Sequence, residues 1–245
     1  MELHYPQKTN GMYILDRSQI DEIATMLLQY YQPSALAHTR PVDIDALAED
    51  GLCLTVRYAA LGFGSGVLGL TAFEDVENLP CLDDMFRPTR ISLSAGTVVI
   101  HTELQGNKPR RRFTVAHECA HWVLHRSFHS PTNQKYAFRA QQSPYRACRA
   151  ERIERTRQYT FKTDTDWGEW QADTLASALL MPLKPFRSFS EQIIYNNYHR
   201  RYLLPKTNWE YFETIEEIAD QFQVSKTAAE IRLKQLGYIP KGPHN

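Results

Sequence analysis

The sequence predicts an α+β protein: a small antiparallel sheet packed on helices. Two observations carry this. The apolar spacing changes from helical to alternating near residue 52, and it returns to helical from Phe113 onward. Helices, then strands, then helices is the order of an α+β chain rather than an alternating α/β one. At 245 residues the chain is one large domain or two small ones. Its 42% hydrophobic and 23% charged residues exclude disordered, collagen-like and coiled-coil classes. With 28 basic against 28 acidic residues, the formal net charge is zero, which argues against a surface wholly devoted to nucleic acid.

Residues 18–31 read as an amphipathic helix. Ser18 is placed to cap it, and Ile20, Ile23, Ala24, Leu27, Leu28 and Tyr31 share a face. Pro41 is expected to open a second, short helix carrying Ile44, Leu47 and Ala48. Leu52, Leu54, Val56 and Tyr58 then alternate with Cys53, Thr55 and Arg57, the pattern of a half-buried strand. Residues 67–73 (VLGLTAF) are almost continuously apolar and predict a strand covered on both faces. Thr97–His101 (TVVIH) offers a third strand. An extended substrate is expected to add to the edge of this sheet, with TVVIH the favoured edge. A polar stretch at about 127–167 interrupts the later helices.

The first ten residues have neither a basic nor an apolar run, so no signal peptide is read there. No apolar run approaches the roughly 20 residues that a membrane helix needs. Cys53, Cys81, Cys119 and Cys148 are widely separated, which indicates neither a disulfide framework nor a cysteine zinc site. The expected address is the reducing cytoplasm.

Nine histidines are present, and four fall between residues 117 and 129. His117, Glu118 and His121 have the spacing H-E-x-x-H. On a helix, residues four apart lie one turn apart on the same face, so two imidazoles can converge on one ion. Glu118, beside the first ligand, can reach a water activated there and take its proton. Phe113, Ala116, Ala120, Val123 and Leu124 add an apolar stripe to the same helix. His125 does not join the ion, because eight residues of helix rise about 12 Å. It reads as a packing or hydrogen-bonding residue near the helix end.

The third ligand must come from another segment, and residues 167–182 (WGEWQADTLASALLMP) are the best source. Ala172, Leu175, Ala176, Leu179 and Leu180 form an apolar face, and Pro182 stops the helix. Glu169 is expected on the inward face in the first turn, where it could complete a His₂Glu set with an open position. Glu151, Glu154, Asp164 and Asp166 compete for that role on spacing alone. Asp173, four residues beyond Glu169, could accept a hydrogen bond from the far nitrogen of a ligating histidine. A His₂Glu site suits one Zn²⁺ per chain, with Mn²⁺ or Fe²⁺ as alternatives.

The pairing of RFTVAHECAHWVLH with EWQADTLASALLMP resembles the ImmA/IrrE family of zinc metallopeptidases. PVDIDALAE, the GVLGL strand and FQVSKTAAEIRLKQLG are similar to it too, so the resemblance runs from about residue 18 to 239. It implies a gluzincin-like minimal metallopeptidase fold, with active-site helices at about 112–126 and 169–181. It implies His117, His121 and Glu169 as zinc ligands and Glu118 as the catalytic base. The partner it implies is a protein substrate, a helix-turn-helix repressor whose cleavage switches on a mobile-element or stress-response operon. Three departures stand out. Asp173 replaces the usual Asn, Cys119 fills the first x of the motif, and the C-terminal sensor domain of longer relatives is not present. The expected division is a metallopeptidase domain over 1–205 and a helix-turn-helix-like segment over 206–245.

That last segment, 214–237, has Gln223 where a DNA reader has glycine and Arg232 where it has an apolar residue. Three basic residues (Lys226, Arg232, Lys234) face four acidic ones (Glu216, Glu217, Asp220, Glu230), a net charge of −1. Phosphate neutralisation dominates DNA affinity, so direct DNA binding is not expected. The basic material lies in 135–157, with seven basic against two acidic residues, and Arg110, Arg111 and Arg112 extend it. This stretch reads as a solvated face or as a surface that steers an acidic substrate segment. Cys148 lies within it as a conceivable thiol switch on the metal. A regulatory protein that binds a repressor or DNA without cleaving anything is the alternative from another class.

Overall fold

The computed structural model describes residues 3–62, 66–129, 144–149, 161–199 and 209–240. The chain divides into two units, Met1–Ile20 with Ile44–Ala176, and Asp21–Asp43 with Ser177–Asn245. The boundary expected at 205/206 lies outside the described residues. Among the described residues, no helix is long and apolar enough to cross a membrane.

The first unit is built on a six-stranded sheet. In chain order its strands are β1 (Thr55–Leu61), β2 (Val67–Ala72), β3 (Val76–Leu82), β4 (Pro88–Leu93), β5 (Thr97–His101) and β6 (Tyr145–Arg149). Across the sheet the order is β4-β3-β1-β5-β2-β6. The sheet is mixed rather than antiparallel, because β1 pairs with β5 in parallel while every other pair is antiparallel. Between β1 and β5 the chain travels through three further strands before it returns, which allows a parallel pair. β5 consequently lies inside the sheet between β1 and β2, so TVVIH has no edge to offer. The edges are β4 and β6.

β2 is buried along its whole length, as its unbroken apolar run implies. One face carries Leu70 and Ala72, which pack with Leu61, Leu79, Leu93 and Val99 where β3 and β4 curl over. The other face, with Gly69 and Thr71, meets a long helix, α4, described below. β3, β4 and β6 had no clear alternating pattern to mark them. β3 and β4 are half exposed, and β6 is a short basic strand hidden in the polar stretch.

Ahead of the sheet stand α1 (Arg17–Tyr31), α2 (Pro33–Ala37) and a short turn of helix, α3 (Ile44–Ala46), which continues as a π-helical turn over Leu47–Gly51. The helix expected at Pro41 is therefore displaced. Pro33 opens α2, and Ile44, Leu47 and Ala48 are buried in the later turn. The strand expected from Leu52 begins at Thr55 instead. Leu52 and Leu54 donate their N–H groups back to Leu47 and Ala48, and Cys53 takes a positive φ of 54°, so these residues end the helical turn.

The second unit contains α6 (Leu183–Tyr198), α7 (Trp209–Phe222) and α8 (Lys226–Gln235), with residues 21–31 of α1. Phe186, Phe189 and Phe222 bring their rings together at 5.1 and 6.0 Å from Phe222. Gln223, at the turn between α7 and α8, adopts φ 52°, the conformation that glycine serves without strain. Ser225 caps α8 by accepting from the Ala228 N–H. Arg232, the charged residue on an otherwise apolar helix face, is fully buried and gives Nη2 to Asp21 at 2.5 Å and to the Met181 carbonyl.

Two stability predictions follow from this packing. Leu70→Ala should cost about 2–5 kcal/mol in urea unfolding, whereas Met85→Ser, at an exposed hairpin tip, should stay within about 0.5 kcal/mol. Arg232→Ala strands a buried carboxylate and should cost about 3–5 kcal/mol, while replacing Arg232 and Asp21 together with Met and Leu should recover most of that loss.

Candidate metal centre

The site grows from two helices and one face of the sheet. The first helix, α4 (Lys108–His125), is capped by Asn107, whose side-chain oxygen accepts from the Arg110 N–H, with Pro109 in the first turn. It buries Val115, Ala116, Cys119, Ala120 and Leu124 completely. That apolar face carries His117, Glu118 and His121 inward with it, at 0%, 0% and 2% exposure. The basic residues before the motif do not all form a solvated patch. Arg112 is buried, and Arg111 clasps Asp45 through both terminal nitrogens and reaches the Tyr58 hydroxyl.

The second helix, α5 (Asp164–Leu180), starts earlier than expected. Thr163 and Asp166 cap it reciprocally, the Thr163 hydroxyl accepting from the Asp166 N–H and the Asp166 carboxylate accepting from the Thr163 N–H. Glu169 is thus the sixth residue of the helix, in its second turn, and not an N-terminal carboxylate held by the helix dipole. It is 2% exposed.

These helices bring together four of the five residues singled out by the sequence around one point. His117 Nε2 and His121 Nε2 lie 2.9 Å apart. The Glu169 carboxylate stands 3.7 Å from each, through Oε2 to His117 and Oε1 to His121. Glu118 enters from the same helix, its Oε2 held by the Thr71 hydroxyl at 2.6 Å. Its Oε1 is buried and has no hydrogen-bond partner among the described residues. The fifth residue, Asp173, accepts from His117 Nδ1 at 2.8 Å. One histidine, one glutamate and the second histidine offer ligand atoms all within 4.8 Å of one another, a donor set that fits a divalent ion of borderline softness.

The histidines form a hydrogen-bonded chain whose direction can be worked out from its far end. Gln171 donates Nε2 to the Tyr13 carbonyl at 2.8 Å, so its oxygen faces His125 Nε2 at 3.0 Å, and His125 must donate there. His125 Nδ1 then accepts from His121 Nδ1 at 2.8 Å, which leaves His121 Nε2 as an acceptor toward His117. His117 therefore donates from both ring nitrogens, to Asp173 and to His121. The electrostatics agree. Burial opposes charge on His117, but Cys148 and Asp173 outweigh it and hold the ring well above its ordinary pKa. Burial, with His117 close by, pushes His121 well below it. Burial also lowers His125 to about 4. Glu118 is raised to about 7, chiefly by burial, with His117 and Thr71 pulling the other way.

Two neighbours were not assigned a place in the site by the sequence. His125, expected only to pack or hydrogen-bond, orients His121 through Nδ1 and is anchored by Gln171. Arg146, counted as one charge of the basic stretch, lies on β6 and donates to Glu169 at 2.8 and 2.6 Å. Most of residues 135–157 lies outside the described residues, including the competing Glu151 and Glu154. Of the other competitors, Asp164 pairs with Lys8, and Asp166 serves the α5 cap. Cys148 is a buried free thiol beside His117 and Glu118, and burial raises its pKa to about 11. His129, the last of the four clustered histidines, stacks on Phe73 at 4.2 Å.

Residues 146–234 match the model of the M78 peptidase family, described as the IrrE N-terminal-like domain. This agrees with the ImmA/IrrE resemblance, and the matched segment holds α5 with Glu169 and Asp173. The matched segment begins beyond α4, so His117, Glu118 and His121 rest on the geometry described above. No curated protein matches the chain.

Gly69 on β2 makes the site possible sterically. A Cβ there would stand 2.5 Å from Glu118 Oε1 and 2.7 Å from Thr114 Cγ2. Gly69→Ala should lower stability by about 1–3 kcal/mol through overpacking. Thermal unfolding should show that cost shrink when Glu118→Ala and Thr114→Ser are added, since the colliding atoms are then gone.

Proposed function

We propose that this protein is a zinc-dependent endopeptidase acting on a partner protein. The observation that carries this reading is the convergence of His117, His121 and Glu169 beside a buried Glu118 oxygen that no hydrogen bond among the described residues satisfies. His117 and His121 would hold the ion through Nε2 and Glu169 through its carboxylate. When bound, a divalent ion there acidifies a water and polarises a carbonyl. Thr71 fixes one Glu118 oxygen and leaves the other to accept the proton of the attacking water. Glu118 then hands that proton to the leaving amine. Burial raises the Glu118 carboxyl and so makes it a stronger base toward that water than a hydrated carboxylate would be. Asp173 and His125 hold Nδ1 of the two imidazoles, so that Nε2 of each ring would face the ion once His117 gives up its Nε2 proton.

The substrate class comes from the ImmA/IrrE resemblance: a helix-turn-helix repressor whose cleavage relieves repression of a mobile-element or stress-response operon, in the cytoplasm. Direct DNA binding by α7 and α8 is disfavoured by their cations. Lys226 pairs with Glu216, Lys234 with Glu230, and Arg232 is buried.

Metal analysis should find about one ion per chain, lost in His117→Ala. Glu118→Gln should keep the ion but abolish cleavage of a co-expressed repressor encoded by a neighbouring gene. Derepression by Glu118→Gln equal to that of the wild type would replace the peptidase reading with a non-catalytic, sequestering one.

A further inference from the structure

Arg146 sits on edge strand β6 directly opposite Thr71 of β2. Cross-strand partners share a face of the sheet, and this pair faces the two carboxylates of the site. Thr71 holds Glu118, and Arg146 holds Glu169. Both guanidinium bonds, from Nε at 2.8 Å and from Nη2 at 2.6 Å, end on Oε1 of Glu169. Oε1 also stands 3.7 Å from His121 Nε2, and the other oxygen, Oε2, stands 3.7 Å from His117 Nε2.

We propose that Arg146 is a positioning residue for the metal centre: by gripping Oε1 it locks the Glu169 side chain so that Oε2 is presented to the ion held by His117 and His121. This rests on the metallopeptidase reading above. The physical need is clear. Glutamate has three side-chain torsions, and a carboxylate at 2% exposure must be compensated wherever it points. Two N–H groups converging on one oxygen hold its place more firmly than a single donor does. The Arg146 side chain is itself 24% exposed, so its charge remains partly hydrated while Glu169 is sealed. The opposite arrangement would make the guanidinium a rival cation that the ion must displace. The division of labour between the two oxygens favours the grip, since Oε2 can meet an ion while Oε1 stays bonded.

The two arrangements predict opposite signs. Metal dissociation constants are measured by chelator competition on the full chain for wild type, Arg146→Ala, Arg146→Lys and an exposed control, Arg90→Ala. Arg146→Ala should bind zinc about 10–100-fold more weakly. Lysine, a point charge without the fork, should restore only part of the loss. In the cobalt-substituted proteins, the visible ligand-field bands should shift in Arg146→Ala and stay in place in Arg90→Ala. Saturating metal should return most of the turnover of Arg146→Ala, because the residue acts through Glu169. Unchanged or tighter metal binding in Arg146→Ala, with melting temperature showing a folded chain, overturns the proposal while leaving the peptidase reading intact. If Arg146→Ala does not fold, the same comparison is made with Arg146→Gln, which is shorter and uncharged but keeps a donor at the position of Nε. A wild-type chain that binds no metal at all defeats both readings.

Discussion

Everything in the first unit is organised around keeping several ionisable groups out of water at one seam. Glu118, Glu169, His117 and His121 are all essentially unexposed. Isolated charges there would cost many kcal/mol, so each must be bonded to a group of the right polarity. The seam supplies these partners from everywhere at once: Thr71 and Arg146 from the sheet, Asp173 and Gln171 from α5, and the Tyr13 carbonyl from the chain's first residues. Hydrogen-bond direction then propagates. One amide orientation at Gln171 dictates the tautomers of His125 and His121 in turn, and with them the proton that His117 turns toward His121. This is the stiffness that a metal centre requires of its surroundings.

What the sequence made legible follows from distance along the chain. The H-E-x-x-H spacing is local, and helix periodicity converts it into two converging imidazoles without further knowledge. Glu169 and Asp173 are legible as a pair for the same reason, although the apolar spacing does not reveal the Thr163–Asp166 capping box that starts α5 three residues before Trp167 and puts Glu169 in the second turn. What stayed hidden depends on pairing between distant segments. β6 is a five-residue strand of tyrosine, arginine, alanine, cysteine and arginine, with no alternation of apolar and polar to mark it. Only its partner β2 makes it a strand. The parallel pairing of β1 with β5 is invisible for the same reason, and with it the interior place of TVVIH.

Counting charges along the sequence also misleads in a definite way. Arg111, Arg146 and Arg232 each raised the local basic count, yet each is bound to a specific carboxylate: Asp45, Glu169 and Asp21. Arginine is the residue suited to such sites, because its planar fork matches a carboxylate and its charge tolerates burial better than an ammonium. A departure such as Arg232 on an apolar helix face therefore reads better as a buried pair awaiting its acid than as a surface feature. The zero net charge of the whole chain conceals these internal neutralisations as well as its unequal segments.

The register of β6 against β2 has a consequence for how the protein comes into being. Thr71 meets Arg146 across 75 positions of sequence, and Gly69 meets Cys148. Pairings that close such long loops carry a slowly growing entropic cost and form late. The α4 helix can form from local contacts alone and set His117 and His121 one turn apart early. The guanidinium that steadies Glu169 arrives only when the far strand docks. A nascent chain thus carries an unfinished candidate ligand set until this edge of its sheet is complete, which ties the finishing of the site to a long-range step of folding.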